Sequence, residues 1–371
     1  MRRRKLNVKF IIITVLLFVV VGALLVVSLT QGTKGGFNKG KEKTNTEVKD
    51  KTPEEKTVEG PVEEPVKEPE EEKSKFKIYN TTTKTRPYAV MINNIGVARP
   101  LQSGLQDAYL IYEIIVEGGI TRYMALFKDV DVDRIGSIRS SRHYYLDYVL
   151  ENDAIYVHNG QSPQAAADFS KLGINRIEAE APNTGIRDKS LNVAREHTLF
   201  TTTDLLKKGV EKSKFRNTIN KEPLLNYVSE EVDLSQKEGA KKANTIDIKF
   251  SNSVRSTFKY DSKKGYYLRS VNGKAHTDYV TKEQYHFKNI ITYQVKNQTI
   301  SGDKKGRQDI NNIGSGKGYY ITNGYAVPIK WKKDSRSSQT IYTYEDGTKI
   351  EVNDGNTFIE IQPTNQKLTI E

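Results

Sequence analysis

Acidic and basic side chains are concentrated in residues 86–160, within runs that otherwise have the composition of buried strands. A core does not need so many ionisable groups, because each is costly to bury without a partner. Carboxylates can act as general acids or bases, and guanidinium groups can hold an anion. The candidate catalytic residues are Glu117, Glu113 and Asp147, and the candidate ligand-binding residues are Arg122, Arg139, Arg142, His158 and Asn159.

Three interpretations of this cluster are open. In the first, Glu117 is the general acid of a peptidoglycan hydrolase or lyase, assisted by a second carboxylate. However, Glu113 and Glu117 would lie about 13 Å apart at about 3.3 Å per residue, which is wider than the spacing in glycosidases. In the second, the arginines and His158 line a pocket for an anionic ligand. In the third, Glu117 only pairs with Arg122 or Arg139 and stabilises the fold.

Neither a cofactor nor a metal site is expected. The chain has no cysteine, and its five histidines do not show a metal-binding spacing such as H-E-x-x-H. The G-S-G-K-G run at 314–318 lacks the spacing of a phosphate-binding loop. Ser140 and Ser141 lack the G-x-S-x-G setting of a serine hydrolase. Whether the protein is an enzyme is therefore left open.

A β-hairpin that turns at the glycine pair 118–119 is predicted to position the cluster. Side chains alternate between the two faces of a strand, so the register decides which of them meet. If Glu117 pairs with Ile120, then Glu113, Glu117 and Arg122 share one face. That register would place Arg122 within reach of Glu117.

Two helices are predicted after the hairpin. The first begins at Ser140 or Ser141, where hydroxyl groups and neighbouring arginines would form an anion cradle at the helix start. The second begins with the capping pair Ser162 and Pro163 and ends near Gly173. Both predictions place the candidate site at the ends of regular elements.

The expected fold class is α+β, in two domains. Strands alternate with helices in residues 81–235, which predicts an N-terminal domain of mixed α/β type. Short alternating runs separated by Asn-Gly and Asp-Gly turns predict a mostly antiparallel β domain over residues 245–371.

The sequence before these domains predicts a membrane anchor. Residues 1–9 are basic, and residues 10–29 are twenty uncharged residues, which is about the length that spans a bilayer as a helix. The positive-inside rule places residues 1–9 in the cytoplasm and the bulk of the chain outside. A cleaved signal peptide would need a shorter apolar core and an A-x-A-like site. Residues 30–80, rich in Lys, Glu and Pro, predict a disordered tether.

The charge of the chain indicates the class of partner. Its formal net charge is +12 at pH 7, which favours polyanions. Lysines and tyrosines are frequent in residues 258–270 and 318–336 and predict a basic, aromatic surface. Outside the membrane, we expect an anionic wall polymer or an envelope protein as the partner, and we do not expect nucleic acid.

Several strings together resemble the YerB-like family of bacterial envelope proteins: RPYAVMINN, VEGGITRYMALF, RIGSIRSSR, YVHNG, YLRSVNGKAHTDY and TFIEIQP. The resemblance covers most of residues 86–363. It implies a membrane-tethered, extracytoplasmic protein of Gram-positive-type bacteria, with two domains of unknown function, and it implies no reaction. The lipid-bearing cysteine that is usual in the family is missing here, so residues 10–29 would have to provide the anchor.

Overall fold

The computed structural model describes residues 77–78 and 82–371. The predicted basic segment (1–9), the predicted membrane helix (10–29) and nearly all of the predicted tether (30–80) therefore lie outside the described residues. Among the residues that are described, no helix is long and apolar enough to cross a membrane.

Strands dominate the described chain, and helices are few. The helices are α1 (Tyr145–Glu151), α2 (Pro163–Lys171) and α3 (Thr203–Ser213), and the short 3-10 helices are Arg99–Leu101, Leu105–Asp107, Glu117–Gly119 and Arg195–His197. The first strands are β1 (Tyr88–Asn93), β2 (Leu110–Ile115), β3 (Thr121–Phe127), β4 (Ile135–Gly136), β5 (Ile155–His158), β6 (Arg176–Glu178), β7 (Ile186–Arg187), β8 (Leu199–Thr201) and β9 (Asn226–Val228). The remaining strands are β10 (Lys241–Lys242), β11 (Thr245–Lys249), β12 (Arg255–Asp261), β13 (Tyr266–Val271), β14 (Lys274–Ala275), β15 (His286–Phe287), β16 (Asn289–Val295), β17 (Asn297–Thr299), β18 (Gln308–Ile310), β19 (Gly314–Thr322), β20 (Tyr325–Lys333), β21 (Ile341–Thr343), β22 (Glu351–Asn353), β23 (Thr357–Pro363) and β24 (Leu368–Ile370).

The main sheet contains strands from both predicted domains. Its order is β10-β20-β19-β16-β23-β2-β3-β1-β5-β6, and β21 also pairs with β20. Although β23 lies near the end of the chain, it runs between β16 and β2 and is parallel to both. All of its residues are buried. The C-terminal half is thus rich in strands as predicted, but β23 departs from the antiparallel pattern and joins the two halves.

A second sheet, of order β14-β13-β12-β11-β24 with β15 also paired to β13, packs on one face of the main sheet. Phe358 of β23 lies at the centre of the interface. Its ring centroid is 5.6 Å from that of Phe258, 4.8 Å from that of Phe287 and 5.7 Å from that of Tyr123. Edge-to-face contacts of this kind add to the stabilisation that comes from burying the rings.

Helix α1 covers the opposite face of the main sheet. The Tyr148 ring lies 4.9 Å from the Tyr112 ring of β2, and the Tyr144 hydroxyl donates to the Ile115 carbonyl at 2.7 Å. At the end of α1, the Glu151 carboxylate accepts from Lys333 of β20 at 2.8 Å. The helix therefore connects strands from both halves of the chain.

The predicted hairpin between β2 and β3 is confirmed, but its register differs by one residue. The Val116 amide, and not that of Glu117, bonds across to Ile120, and the turn contains two glycines with positive φ. Because a slip of one residue moves each side chain to the other face, Glu113 and Arg122 lie on opposite faces. Both strands are buried on both faces, so the hydrophobic pattern did not distinguish the two registers.

A buried guanidinium group, that of Arg269 in β13, links the two sheets. Arg269 is fully buried, and it donates to Glu113 of β2 at 2.5 Å, to the Tyr123 hydroxyl at 3.0 Å and to the Ser256 hydroxyl at 2.7 Å. A second carboxyl, that of Glu360 in β23, lies 3.9 Å away. Two acids and one arginine thus share one fully buried site between the sheets.

The surroundings of the Glu360 carboxyl favour its protonated form. Burial, and then the charge of Glu113, raise its pKa well above the usual value despite the nearby Arg269. Neither of its oxygens accepts a hydrogen bond from the described residues. The neutral form is favoured there because an ionised carboxylate without donors is expensive to bury.

Replacing Arg269 with Met should destabilise the fold by about 3 to 5 kcal/mol, because Glu113 would keep its buried charge without a counter-ion. The matched control is Arg255→Met, since Arg255 lies on the neighbouring strand with its side chain 55% exposed and, among the described residues, forms an ion pair only with the partly exposed Asp247. That change should cost less than about 1 kcal/mol. Urea denaturation checks both values, and similar losses in the two variants would contradict the account.

Replacing Glu360 with Gln should change the pH dependence of stability. A carboxyl with a raised folded-state pKa stabilises the fold below its unfolded value, near 4.5, and that contribution is lost as the pH rises toward the folded value. The free energy of unfolding of the wild type should therefore decline relative to Glu360→Gln as the pH rises above about 4.5. A constant difference between the two proteins over this range would show that Glu360 is ionised throughout.

Candidate functional site

Glu117, Arg122 and Arg142 come together beside the turn of the hairpin, and we call them the arginine cluster. Arg142 donates to both Glu117 oxygens, through Nε at 2.8 Å and through Nη2. Arg122 donates to Glu117 at 3.2 Å. The side chains of the two arginines are 4% and 7% exposed, and that of Glu117 is 24% exposed. The predicted pairing of Glu117 with Arg122 is thus present, and Arg142 is the stronger partner.

The electrostatics of the arginine cluster hold Glu117 in its ionised form. Burial opposes ionisation, but the hydrogen bond from Arg142 and the positive charges of both arginines outweigh it and lower the Glu117 pKa to about 2. Burial and the charge of Arg142 lower the pKa of Arg122 to about 10, so Arg122 remains cationic at neutral pH. A carboxylate with so low a pKa carries no proton to give to a leaving group at pH 7.

The predicted anion cradle at a helix start is wrong. Helix α1 begins at Tyr145, several residues after Ser140 and Ser141, and its N-cap makes no side-chain hydrogen bond. The carbonyls of these two serines, rather than their hydroxyls, face the arginines, and they accept hydrogen bonds from Arg122 and Arg142. The N–H groups of Arg122 and Arg142, which the prediction had assigned to a ligand, therefore already donate to backbone carbonyls and to Glu117.

The other predicted ligand-binding residues lie close by but have partners of their own. Arg139 pairs with Glu196 at 3.1 Å, and the Asn159 amide donates to the Arg139 carbonyl at 3.1 Å. His158 is fully buried, and its Nδ1 donates to the Gly160 carbonyl at 3.0 Å. Burial lowers the pKa of His158 to about 4, so the ring is neutral at pH 7.

Glu113 and Asp147, the other two candidate catalytic acids, lie in separate networks. Glu113 faces the second sheet and pairs with Arg269. Asp147 accepts from Arg336 at 2.6 Å and from Asn312 at 2.9 Å. Each of the three carboxylates thus has its own set of partners, and the structure does not form a catalytic pair from them. Among the described residues, no group of three or more His, Asp or Glu side chains is placed to hold a metal ion.

A basic surface at one side of the main sheet was only partly visible in the sequence. We call it the basic face, and it consists of Lys241, Lys317, Lys330 and Lys332, all of them exposed. Lys317 lies directly opposite Lys330 on β19 and β20, and Lys332 follows on the same side of β20. Lys241 of β10 places its ammonium 4.3 Å from the centre of the Tyr319 ring. Lysines alternate with apolar residues in 329–332, which indicated that Lys330 and Lys332 share one face of a strand. The order of the strands was needed to show that Lys317 and Lys241 lie on the same face.

Replacing Glu117 with Gln should cost about 2 to 3 kcal/mol at pH 7, because two guanidinium groups lose their shared anion. The carboxylate stabilises the fold above its unfolded pKa, near 4.5, and this contribution disappears as the pH falls toward about 2. The difference between wild type and variant should therefore shrink between pH 5 and pH 2.5 in urea denaturation.

Glu196→Gln is the control for this prediction, since the Glu196 side chain is 54% exposed and pairs with a single arginine. It should cost less than about 1 kcal/mol at either pH. An unchanged difference between wild type and Glu117→Gln at low pH would mean that the Glu117 charge does not stabilise the fold.

Comparisons with known proteins agree with this fold. Residues 76–216 match the model of the N-terminal domain of a family described as protein of unknown function (DUF3048), and residues 246–359 match that of its C-terminal domain. A relative from Bacillus subtilis (strain 168), named "Putative lipoprotein YerB", is 30% identical over 295 residues, which are 77% of this chain and 84% of the relative. The crystal structure of YerB from Bacillus subtilis superposes with a TM-score of 0.67 at 25% identity, covering 81% of this chain and all of that one. The resemblance found in the sequence is thereby confirmed, and the chain belongs to the DUF3048 family of YerB-like proteins.

Proposed function

We propose that this protein is an envelope protein, anchored in the cell membrane by residues 10–29, that binds an anionic wall polymer through the basic face. Its N-terminus lies in the cytoplasm, and its folded part lies outside the cell. The observation that carries the proposal is the direct opposition of the exposed residues Lys317 and Lys330 on neighbouring strands.

The proposed location rests on the sequence and on one relative. The Bacillus subtilis relative is named as a lipoprotein, which is a protein held at a membrane by a lipid. This chain has no cysteine to carry such a lipid, but it has the uncharged run 10–29 behind a basic segment. A peptide anchor in place of an acyl anchor would give the folded part the same surroundings.

The arrangement of charges on the basic face supports a polyanionic partner. Like charges directly opposite each other on a sheet are destabilising, and a bound polyanion would offset that repulsion. Glu345 and Asp334 pair with Lys330 and Lys332, at 3.1 Å and 3.0 Å. In the described part of the chain, no carboxylate pairs with Lys317. The Tyr319 ring beside Lys241 adds an aromatic surface to the charge.

The arginine cluster is less suited to binding or catalysis. Its guanidinium groups already bind Glu117 and two backbone carbonyls, so an anionic ligand would have to displace partners within the fold. A general-acid role for Glu117 in glycan cleavage is disfavoured as well, since the low pKa of this carboxyl leaves it without a proton at pH 7. We therefore assign polymer binding to the basic face.

The test is a sedimentation assay of the full-length chain with purified wall sacculi, either intact or stripped of their phosphate-containing polymers by acid. The variant carries Lys241→Gln, Lys317→Gln, Lys330→Gln and Lys332→Gln. It should bind intact sacculi about 10- to 100-fold more weakly than the wild type. This estimate assumes that each lysine near an anionic surface contributes roughly 1 kcal/mol or less to binding. Wild-type binding should also weaken as salt is raised.

The control variant removes the same charge elsewhere, at exposed residues Lys263, Lys274, Lys304 and Lys305, each changed to Gln. It should bind like the wild type. Equal loss in the two variants would mean that only net charge matters. Equal binding to stripped and intact sacculi would assign binding to the peptidoglycan itself and contradict the proposal, and absence of binding to either would favour an envelope protein as the partner.

A further inference from the structure

A cavity of about 510 Å³ lies at one end of the main sheet, away from the basic face and from the arginine cluster. The chain segment 218–225, which we call the strap, crosses the sheet end where β2 begins and β3 ends. Thr218 bridges to Thr85, and the Ile219 amide donates to the Lys84 carbonyl at 2.6 Å. The strap then leads into β9, so it is held at both ends and encloses space beneath it.

The walls of this cavity are largely apolar. Leu110 and Tyr109 come from the start of β2, and Leu224, Leu225 and Tyr227 come from the strap and β9. Its volume is within the range of sites that enclose a small organic ligand, about 300 to 1,000 Å³. Such walls suit the hydrocarbon or aromatic body of a ligand.

Lysines at the same cavity supply positive charge. The ammonium of Lys221 donates to the carbonyls of Leu150 and Ser337, at 2.8 Å and 2.5 Å, and neither acceptor carries a charge. Lys84 also lines the cavity and is exposed. Lys128 is a third lysine in the wall, but Asp129 at 2.7 Å balances its charge. Lys84 and Lys221 together outnumber Glu222, the one carboxylate among the described residues of the lining.

From this juxtaposition we infer that the cavity binds a small anionic amphiphile, with its apolar body against the leucines and tyrosines and its carboxylate or phosphate beside Lys84 and Lys221. The bound anion would add a charged acceptor to Lys221, whose two hydrogen-bond acceptors are uncharged carbonyls. This site is independent of the basic face, and the inference does not rest on the proposed polymer binding.

The direct test compares 2-naphthoate with its neutral analogue 2-naphthamide, by isothermal titration calorimetry. The full-length chain is held in zwitterionic phospholipid nanodiscs, with empty discs as the blank. Naphthoate should bind at a single site about 10-fold more tightly than naphthamide, a difference of about 1.4 kcal/mol. Lys84→Gln and Lys221→Gln should each remove most of that preference and leave naphthamide binding unchanged.

Two further variants separate filling of the cavity from loss of fold. Leu224→Trp fills the cavity without changing charge and should abolish binding of both compounds, with the melting temperature showing that the protein is folded. Lys349→Gln is the control, because Lys349 lines a neighbouring cavity of about 420 Å³ on the other side of the strap. It should bind both compounds like the wild type.

The source of the anion is identified by competition. If membrane lipids occupy the site, dihexanoyl phosphatidylglycerol should displace naphthoate and dihexanoyl phosphatidylcholine should not. Failure of both lipids to compete, with naphthoate binding intact, would assign the site to soluble organic acids. Equal affinity for naphthoate and naphthamide, absence of saturable binding, or equal loss in Lys349→Gln and Lys84→Gln would overturn the inference.

Discussion

The buried Arg269 guanidinium group is the interaction on which the rest of the structure depends. It reaches from the second sheet into the main sheet, where it meets Glu113 of the N-terminal half and Glu360 of β23. A guanidinium group can only donate hydrogen bonds, so the Nδ1 atom of His276, 2.8 Å away, must accept one, and its Nε2 must donate to Gln102. One buried cation therefore lies beside carboxyl groups from two strands and fixes the tautomer of a histidine.

The same constraint makes the two halves of the chain interdependent. The regions that match the N- and C-terminal domain models contribute neighbouring strands to one sheet, with β23 between β16 and β2. On the other face of that sheet, Glu151 with Lys333 and Asp147 with Arg336 form two more links between the halves. Two of the three candidate catalytic acids, Glu113 and Asp147, belong to these links between the halves. The pairing with arginines accounts for the burial of these two carboxylates.

The sequence predicted local structure well and long-range pairing poorly. Helix α2 begins at Pro163 behind a Ser162 cap, as predicted, because caps and turns are set by neighbouring residues. The Asn323-Gly324 turn between β19 and β20 was predictable from the sequence for the same reason. In contrast, Arg269 lies 156 residues from Glu113 and Arg336 lies 189 residues from Asp147, and no spacing rule connects such positions. The pairing of Glu117 with Arg122 was predictable from the hairpin, whereas the partners of Glu113 and Asp147 were not.

The central claim is that the two sheets form a single cooperative unit held by a buried charge network, and native-state hydrogen exchange tests it most directly. The slowest amides of β2 and β3 and those of β12 and β13 would be followed in low, increasing concentrations of denaturant. The account predicts that both groups reach the same opening free energy and the same dependence on denaturant. Exchange of β12 and β13 through a separate, lower-energy opening, with β2 and β3 still protected, would contradict it.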